Sequence, residues 1–452
     1  MKDKKYIGLD VGGTKIAGAL VSFDGQVIAR AKMATPLRAP AAQIFECVQN
    51  TVRELMALPV AAGQEIAGIG MGVPGIVDRD QQSILATPNI DLAGYPLAKK
   101  IEKLFRAKVC LGNDVNLGLL GEKWQGVARD ADDVVGLFWG TGLGGAIIID
   151  GKLVLGSKGA AAEIGHVIID LDGPESNIGI NGTVESYVSR WAIERDIRAA
   201  IERGEPTLVL EMVEGDLSRI KSRVLRDCLK QKDPVVTKIM QRSSEVLGKA
   251  CVSINHFLNP RMIVLGGGVV EACGDFILPI VKRAVKADPF FAPFDQCEVV
   301  LSRLGDDAVI LGGVALAKLR AGHDLHGKHS FYPHIRPNNG QGVIIDNKLY
   351  KKNIFVRADG RVKTLKMTSD TDVSVLSNKP GVAELRKVCK KHPEILIIAS
   401  GSKPPVELTP EALDFLKQEK VKYKFLSRDE AIQQYNEDDS RKAILICQQS
   451  DS

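Results

Sequence analysis

Between the apolar stretches Tyr6–Asp10 and Ile16–Ser22 runs Asp10-Val11-Gly12-Gly13-Thr14-Lys15. Adjacent glycines between two strands make a tight hairpin turn. Its backbone N–H groups, free of side-chain bulk, can close on an anion. Thr14 adds a hydroxyl, and Asp10 adds a carboxylate suited to a hydrated Mg²⁺. Alone, such a turn could also be a tight hairpin and nothing more. It recurs, however, as Gly140-Thr141-Gly142-Leu143-Gly144-Gly145 behind the apolar stretch Val134–Trp139. Two such turns facing each other across a cleft would clamp a phosphate chain. A third cluster, Gly266-Gly267-Gly268, follows Met262–Leu265. Glycines there would let a flat ring such as adenine approach the backbone.

Asn113-Asp114-Val115-Asn116 sits after the apolar stretch Lys108–Leu111 and before a helix that includes Gly121-Glu122. A carboxylate between a strand end and a helix start projects into the cleft. There it can take a proton from an attacking hydroxyl, as phosphoryl transfer requires. Aspartate is a weak base at its reference pKa of about 3.9, which suffices when the proton leaves late in a loose transition state. The competing role for Asp114 is that of helix N-cap.

Strands and helices must hold these groups. Asp24-Gly25 turns the chain into a third strand, Gln26–Met33, and Ala41–Leu58 carries Ile44, Val48, Val52 and Leu55 at helical spacing. Ile66–Val73 is another strand. Ala146–Ile149 with Asp150-Gly151 repeats the opening strand, glycine turn, strand and hairpin, and Asp233–Phe257 is a long helix. The spacing therefore predicts a duplicated α/β core with a cleft between two lobes, about 1–125 and 126–322. The stretch 322–341 is polar, lacks periodicity and reads as a linker, with 323–341 its span between domains. It carries His323, His326, His329 and His334, for which a solvated linker is the expected reading over a metal site. Beyond it, strands and helices alternate again. Helix starts are marked by Thr409-Pro410 and by Ser427 with Glu430, and a separate small α/β domain is expected over 342–452.

Taken together and in order, D-x-G-G-T-K, G-x-P-G at Gly72–Gly75, N-D-x-N, G-T-G-x-G-G, E-x-G-H at Glu163–His166 and L-G-D-D-A at Leu304–Ala308 resemble the ROK family of sugar kinases. That family lies within the actin-like (ribonuclease H-like) ATPase fold, and the resemblance spans roughly residues 4–322, closest to the glucokinases. It implies transfer of the γ-phosphate of ATP to the 6-hydroxyl of a hexose, glucose first, with Asp114 as general base and Mg²⁺ as cofactor. N-acylmannosamine, mannose or fructose kinases are the alternatives, as is a sugar-sensing or scaffold protein that has lost catalysis. By the same resemblance Asn89, Asn113, Glu163, His166 and Glu185 contact sugar, although His166 could also be a packed loop histidine. The family implies a homodimer. Its repressors carry a helix-turn-helix ahead of the first strand, where this sequence has five residues before Tyr6.

One departure stands out. The family follows E-x-G-H with C-x-C-G-x-x-G-C-x-E, whose three cysteines join the histidine on a structural zinc. Here Ser176, Ile178 and Thr183 occupy the thiol positions, while Gly179, Gly182 and Glu185 persist. None of the three replacements is a credible zinc ligand. No structural zinc is expected, and packing around Ile178 with hydrogen bonds from Ser176 and Thr183 would have to restrain the loop. The last domain is similar to a small α/β family found as stand-alone archaeal proteins and in a mitochondrial complex I assembly factor. The similarity rests on Asp359-Gly360-Arg361-Val362-Lys363, on Ile395–Ala399 with Ser400-Gly401, and on Leu408-Thr409-Pro410-Glu411-Ala412. It implies a binding or assembly module with an unknown protein partner.

Composition narrows the remaining classes. No apolar run reaches the roughly 18–20 residues of a membrane span, and no signal-peptide pattern opens the chain. The eight cysteines are scattered without a C-x-x-C pair, as expected of a reducing cytoplasm. The net charge of +5 is concentrated late, since residues 328–452 hold 22 Lys and Arg against 16 Asp and Glu. With little aromatic interleaving, that excess does not point to nucleic acid.

Overall fold

The computed structural model describes residues 4–36, 38–59, 66–88, 90–293, 297–323, 325, 333, 335–338, 342–345, 348–358, 361–365, 380–390, 392–400, 407–437 and 442–447. The chain divides into two compact units, 1–320 and 321–452.

The first unit opens with β1 (Lys5–Val11), β2 (Lys15–Ser22), β3 (Val27–Ala34), α1 (Ala41–Ala57), β4 (Ile66–Val73), β5 (Ile76–Val77), β6 (Ile84–Ala86), α2 (Leu97–Phe105), β7 (Val109–Asn113) and α3 (Asp114–Gln125). It continues with β8 (Val134–Trp139), β9 (Leu143–Ile149), β10 (Lys152–Leu153), α4 (Arg190–Glu202), α5 (Val209–Met212), α6 (Ser222–Lys230), α7 (Pro234–Leu258), β11 (Met262–Gly266), α8 (Gly268–Lys286), β12 (Glu298–Leu301) and α9 (Asp307–Arg320). Two five-stranded sheets result, ordered β3-β2-β1-β4-β7 and β10-β9-β8-β11-β12. The orders are the same: an antiparallel three-stranded meander extended by two parallel strands. The expected duplication is therefore present strand for strand. In the first sheet Asp10 pairs with Gly72, and Val73 with Asn113, so β1, β4 and β7 end along one edge. Ligand sites of α/β sheets sit at such carboxyl ends. Each sheet has its own apolar core. Ile44, Val48, Val52 and Leu55 of α1 line the first, and the apolar faces of α4, α7 and α8 line the second.

Three boundaries differ from the sequence reading. Helix α9 does not stay with the second half but returns to pack on β1, β4, β7 and α3. Its composition explains this: Ala308, Ile310, Leu311, Gly312, Gly313, Val314, Ala315, Leu316, Ala317 and Lys318 are all buried, so no solvent face existed to orient it. At the crossing with α3 a Cβ on Gly312 would lie 1.8 Å from the Leu117 carbonyl oxygen, so the two backbones touch. Strand β9 starts at Leu143, which leaves Gly140–Gly142 as the turn and makes Gly144 and Gly145 paired strand residues. Finally, Ile335–Pro337, inside the stretch read as linker, is a strand.

That strand belongs to the second unit: β13 (Ile335–Pro337), β14 (Val343–Ile345), β15 (Lys348–Tyr350), β16 (Ile354–Val356), β17 (Val362–Thr364), α10 (Val382–Val388), β18 (Ile395–Ser400), α11 (Pro410–Gln418), β19 (Lys422–Ser427), α12 (Arg428–Glu437) and β20 (Lys442–Cys447). A small sheet β13-β14-β15 accompanies the main sheet β17-β16-β20-β18-β19. Helices α10 and α11 cover one face and α12 the other, giving two separate apolar cores. Thr409 caps α11 by accepting the Ala412 N–H. Ser427 instead gives both its N–H and its hydroxyl to Glu430. His326, His329, His334, Asp359, Gly360 and Gly401 lie outside the described residues.

Candidate active site

Asp114 is the first residue of α3, and the cap is not Asp114 but Asn113. The Asn113 Oδ1 accepts the Asn116 N–H at 3.0 Å, and its Nδ2 donates to the Gly75 carbonyl at 3.0 Å. The G-x-P-G turn thus serves to hold Asn113, and capping leaves the Asp114 carboxylate free for the cleft. Val115 N–H donates to Asp114 Oδ1 at 2.9 Å. Burial, reinforced by the charge of Asp10 and more weakly by that of Glu163, pushes the Asp114 carboxyl up to about 6 against the pull of its backbone hydrogen bonds. Asp10, at the end of β1, is also raised to about 6 by burial, with Lys15 lowering and Asp306 raising it. Lys15 Nζ stands 3.4 Å from Asp306 Oδ1. A base near 6 is matched to neutral pH far better than one near 4.

The cleft around Asp114 has a volume of about 610 Å³. Of the residues singled out in the sequence, it gathers Asn113, Asp114, Gly140, Gly142, Gly144, Gly145, Glu163, His166, Glu185 and Gly267. Asp10, Gly12, Thr14, Lys15, Thr141, Gly266 and Gly268 do not line it. Gly13 lines a second cavity of about 330 Å³ instead. Pro88 borders both cavities, and Asn89 lies outside the described residues. The flat ring accommodated by Gly266 is the protein's own Phe138, whose edge would lie 2.8 Å from a Cβ there.

Both glycine turns are fastened from outside. In the first, Gly12 N–H closes on the Lys15 carbonyl, and Thr35 Oγ1 donates to the Gly12 carbonyl at 2.9 Å. In the second, Gly140 N–H closes on the Gly142 carbonyl, while the Gly140 and Thr141 carbonyls accept the first N–H groups of α4, from Arg190 and Trp191. Arg190 also donates to Thr141 Oγ1 at 2.9 Å. Glu185, almost fully buried, accepts the Leu143 N–H through Oε2 at 2.7 Å. Within one short turn His166 Nε2 lies 3.8 Å from Glu163 Oε2, and His166 Nδ1 is buried without a hydrogen-bond partner among the described residues.

The loop after His166 is a backbone ribbon. Ile169 and Asp170 N–H groups meet the Gly182 carbonyl, Val184 N–H the Val167 carbonyl, and Glu185 N–H the Gly165 carbonyl. Ser176 Oγ accepts the Ile180 N–H, Thr183 Oγ1 accepts the Ser186 N–H, and Tyr187 O–H donates to Asp170 at 2.5 Å. Ser176 and Thr183 thus restrain the loop as expected. Ile178 does not, being 54% exposed. No cluster of three His, Cys, Asp or Glu residues with metal-site geometry exists among the described residues.

Sequence reasoning placed Glu122 on α3 but missed its task. Fully buried, its Oε1 accepts from Ser302 Oγ and from the N–H groups of Arg303 and Leu304, and its Oε2 from Val127 N–H. It ties the helix that carries Asp114 to the loop ahead of α9. The only available signal was a glutamate amid the apolar residues of α3. Phe138 and Val309, which also line the cleft, gave no signal beyond their apolar runs.

Known proteins are similar to the first unit along its length. A glucokinase of Thermotoga maritima is 33% identical over 324 residues, which is 71% of this chain and all of that protein. A xylose repressor of Caldicellulosiruptor bescii is 29% identical over 69% of this chain and 77% of its own length. The crystal structure of a ROK family glucokinase from Streptomyces griseus, in complex with glucose and AMPPNP, superposes with a TM-score of 0.60 at 30% identity, covering 70% of this chain and 99% of that one. The sequence profile of the ROK family matches residues 6–320. With the family profile spanning the whole first unit and the duplicated sheets present, this chain belongs to the ROK family.

Proposed function

We propose that the first unit is an ATP-dependent hexose kinase with glucose as its first substrate. The observation that carries this is the Asp114 carboxylate, released from capping by Asn113 and raised towards neutrality in a cleft shared by a glycine turn and by Glu163, His166 and Glu185. The sugar hydroxyl gives its proton to Asp114 as its oxygen bonds to the γ-phosphorus, and the bond to ADP breaks. Asp114 Oδ1 is held by Val115 N–H, so Oδ2 is the oxygen that takes the proton. The polar groups of Glu163, His166 and Glu185 suit a polyol, whose desolvated hydroxyls need paired donors and acceptors.

Asp10 fits a hydrated Mg²⁺: a desolvated carboxylate, shifted upward, would be relieved by a divalent cation. When bound, that ion neutralises phosphate charge. We read the chain as a cytoplasmic homodimer without structural zinc, consistent with the backbone ribbon after His166. No helix among the described residues is long and apolar enough to cross a membrane. The second unit, by its resemblance, is a protein-binding or assembly module.

The test is sugar-dependent ADP release over glucose, mannose, fructose and N-acetylmannosamine, with ATP and then polyphosphate as donor. Glucose should be turned over, and Asp114→Asn should lower kcat about 10²- to 10⁴-fold while sugar binding survives. No turnover of any hexose by the wild type, with sugar binding intact, would favour a sensor instead.

A further inference from the structure

Sugar-facing and phosphate-facing parts of the cleft meet at one carboxylate. Glu185 spends Oε2 on the Leu143 N–H, the residue that ends the Gly140–Gly142 turn, and its Oε1 is the oxygen left for a ligand in the cleft. A Cβ on Gly142 would lie 2.2 Å from Glu185 Oε2, so the turn and this carboxylate are in close contact. The segment that carries Glu163 and His166 joins the same junction. Gly165 accepts the Glu185 N–H, and a Cβ on Gly165 would lie 2.2 Å from the Leu143 carbonyl oxygen. Three pieces of chain are thus in backbone contact: the turn before β9, the Glu163–His166 segment and the end of the ribbon at Glu185.

We propose that Glu185 is a positioning residue that couples hexose occupancy to the geometry of the Gly140–Gly142 turn, so that bound sugar tightens nucleotide binding. The inference rests on the kinase reading above. A hydroxyl donated to Oε1 withdraws charge from the carboxylate and fixes its rotation about Cγ–Cδ. Both effects are passed to Oε2 and so to the Leu143 amide. Such coupling is reciprocal and ordinarily amounts to about 5- to 150-fold in affinity. The Leu143 N–H shares its peptide plane with the Gly142 carbonyl, which closes the turn by accepting the Gly140 N–H, so a small rotation of that peptide is passed to the turn.

The experiment is calorimetric titration of AMPPNP with Mg²⁺, in the absence and in saturating presence of glucose, on the full chain and on Glu185→Ala and Glu185→Gln. The wild type should bind AMPPNP at least about fivefold tighter with glucose present, and Glu185→Ala should bind it equally with or without glucose. Glu185→Gln keeps an oxygen for Leu143, so it should keep part of the coupling while raising the KM for glucose. Should Glu185→Ala be poorly folded by its thermal transition, Glu185→Gln decides on that same split between glucose KM and nucleotide coupling. If Glu185→Ala weakens glucose binding but leaves the coupling ratio as in the wild type, Glu185 is a sugar contact only and the inference is wrong. If the wild type binds glucose and shows no coupling, it is likewise wrong. Absence of hexose turnover in the wild type, read separately by ADP release, would instead overturn the kinase reading.

Discussion

Asn113 and Asp114 divide the start of α3 between them: Asn113 satisfies the orphan Asn116 amide, and Asp114 keeps a carboxylate oxygen for the cleft. Exchanging these roles should be costly. Asn113→Ala removes an N-cap, worth about 1 kcal/mol, together with the tie to the Gly75 carbonyl. Chemical denaturation should show that loss, and kcat should fall as the first turn frays. Asn113→Asp keeps the cap but sets a second negative charge beside Asp114, so the acidic limb of its pH–rate profile should move to higher pH. A limb that stays in place would mean the two side chains do not share one electrostatic environment.

The acidic limb itself follows from burial. Asp10 and Asp114 titrate near 6 in the folded protein against an ordinary value of 3.8. Protonated Asp114 cannot take a proton, so kcat/KM should fall as pH drops below about 6. Stability should move the other way. Between about 4 and 6 the folded state holds protons on Asp10 and Asp114 that the unfolded chain has lost, so the contribution of these two groups to stability is greatest below 4 and declines as pH rises through 6. Asp114→Asn should flatten that decline and raise the Tm at pH 7. A Tm that falls at pH 7 in this variant would show that the carboxylate stabilises the fold.

Zinc content is the next point. With Ser176, Ile178 and Thr183 in the thiol positions, one credible ligand remains of the four that a structural site needs. Elemental analysis should give under about a tenth of an equivalent of zinc per chain, and chelator should leave phosphorylation unchanged once Mg²⁺ is restored. Thr183→Ala, which removes the side-chain acceptor of the two that Thr183 offers the Ser186 N–H, should instead lower the Tm. Stoichiometric zinc whose removal abolishes activity would mean that other side chains have replaced the thiols.

Truncation separates the two units. Residues 1–322 contain both lobes and α9, and among the described residues their two main cores are built from within this span. This fragment should fold and retain hexose phosphorylation, since each unit is compact by itself. An insoluble or inactive fragment would make the second unit part of the catalytic body.

How far the sequence could be read depended on how local the cause was. The two glycine turns and their flanking strands were legible because strand–glycine–strand is written in fewer than a dozen consecutive residues. The capping role of Asn113 was masked by its neighbour: Asn and Asp are equally good caps, and only the fold shows which side chain turns back. Helix α9 could not be assigned to a lobe, because a helix buried on every side carries no amphipathic stripe to point the way. Glu122 was silent for a related reason, since its four donors come from segments up to 182 residues away. Ile178 points outward rather than packing, because the ribbon is held by its backbone and needs no apolar anchor at that position.

The contact between Gly312 and Leu117 has a mechanical consequence. Helices that slide past each other do so on a cushion of side chains, and here α3 and α9 have none at their crossing. At the far end of α9, Lys318 is buried and donates to the Phe23 carbonyl at 2.8 Å, which pins the pair to the first sheet as well. The two helices therefore act as an axle rather than a shear plane. Asp114, at the tip of that axle, stays fixed relative to the first sheet, and any narrowing of the cleft must swing the Gly140–Gly142 turn and Glu185 towards it.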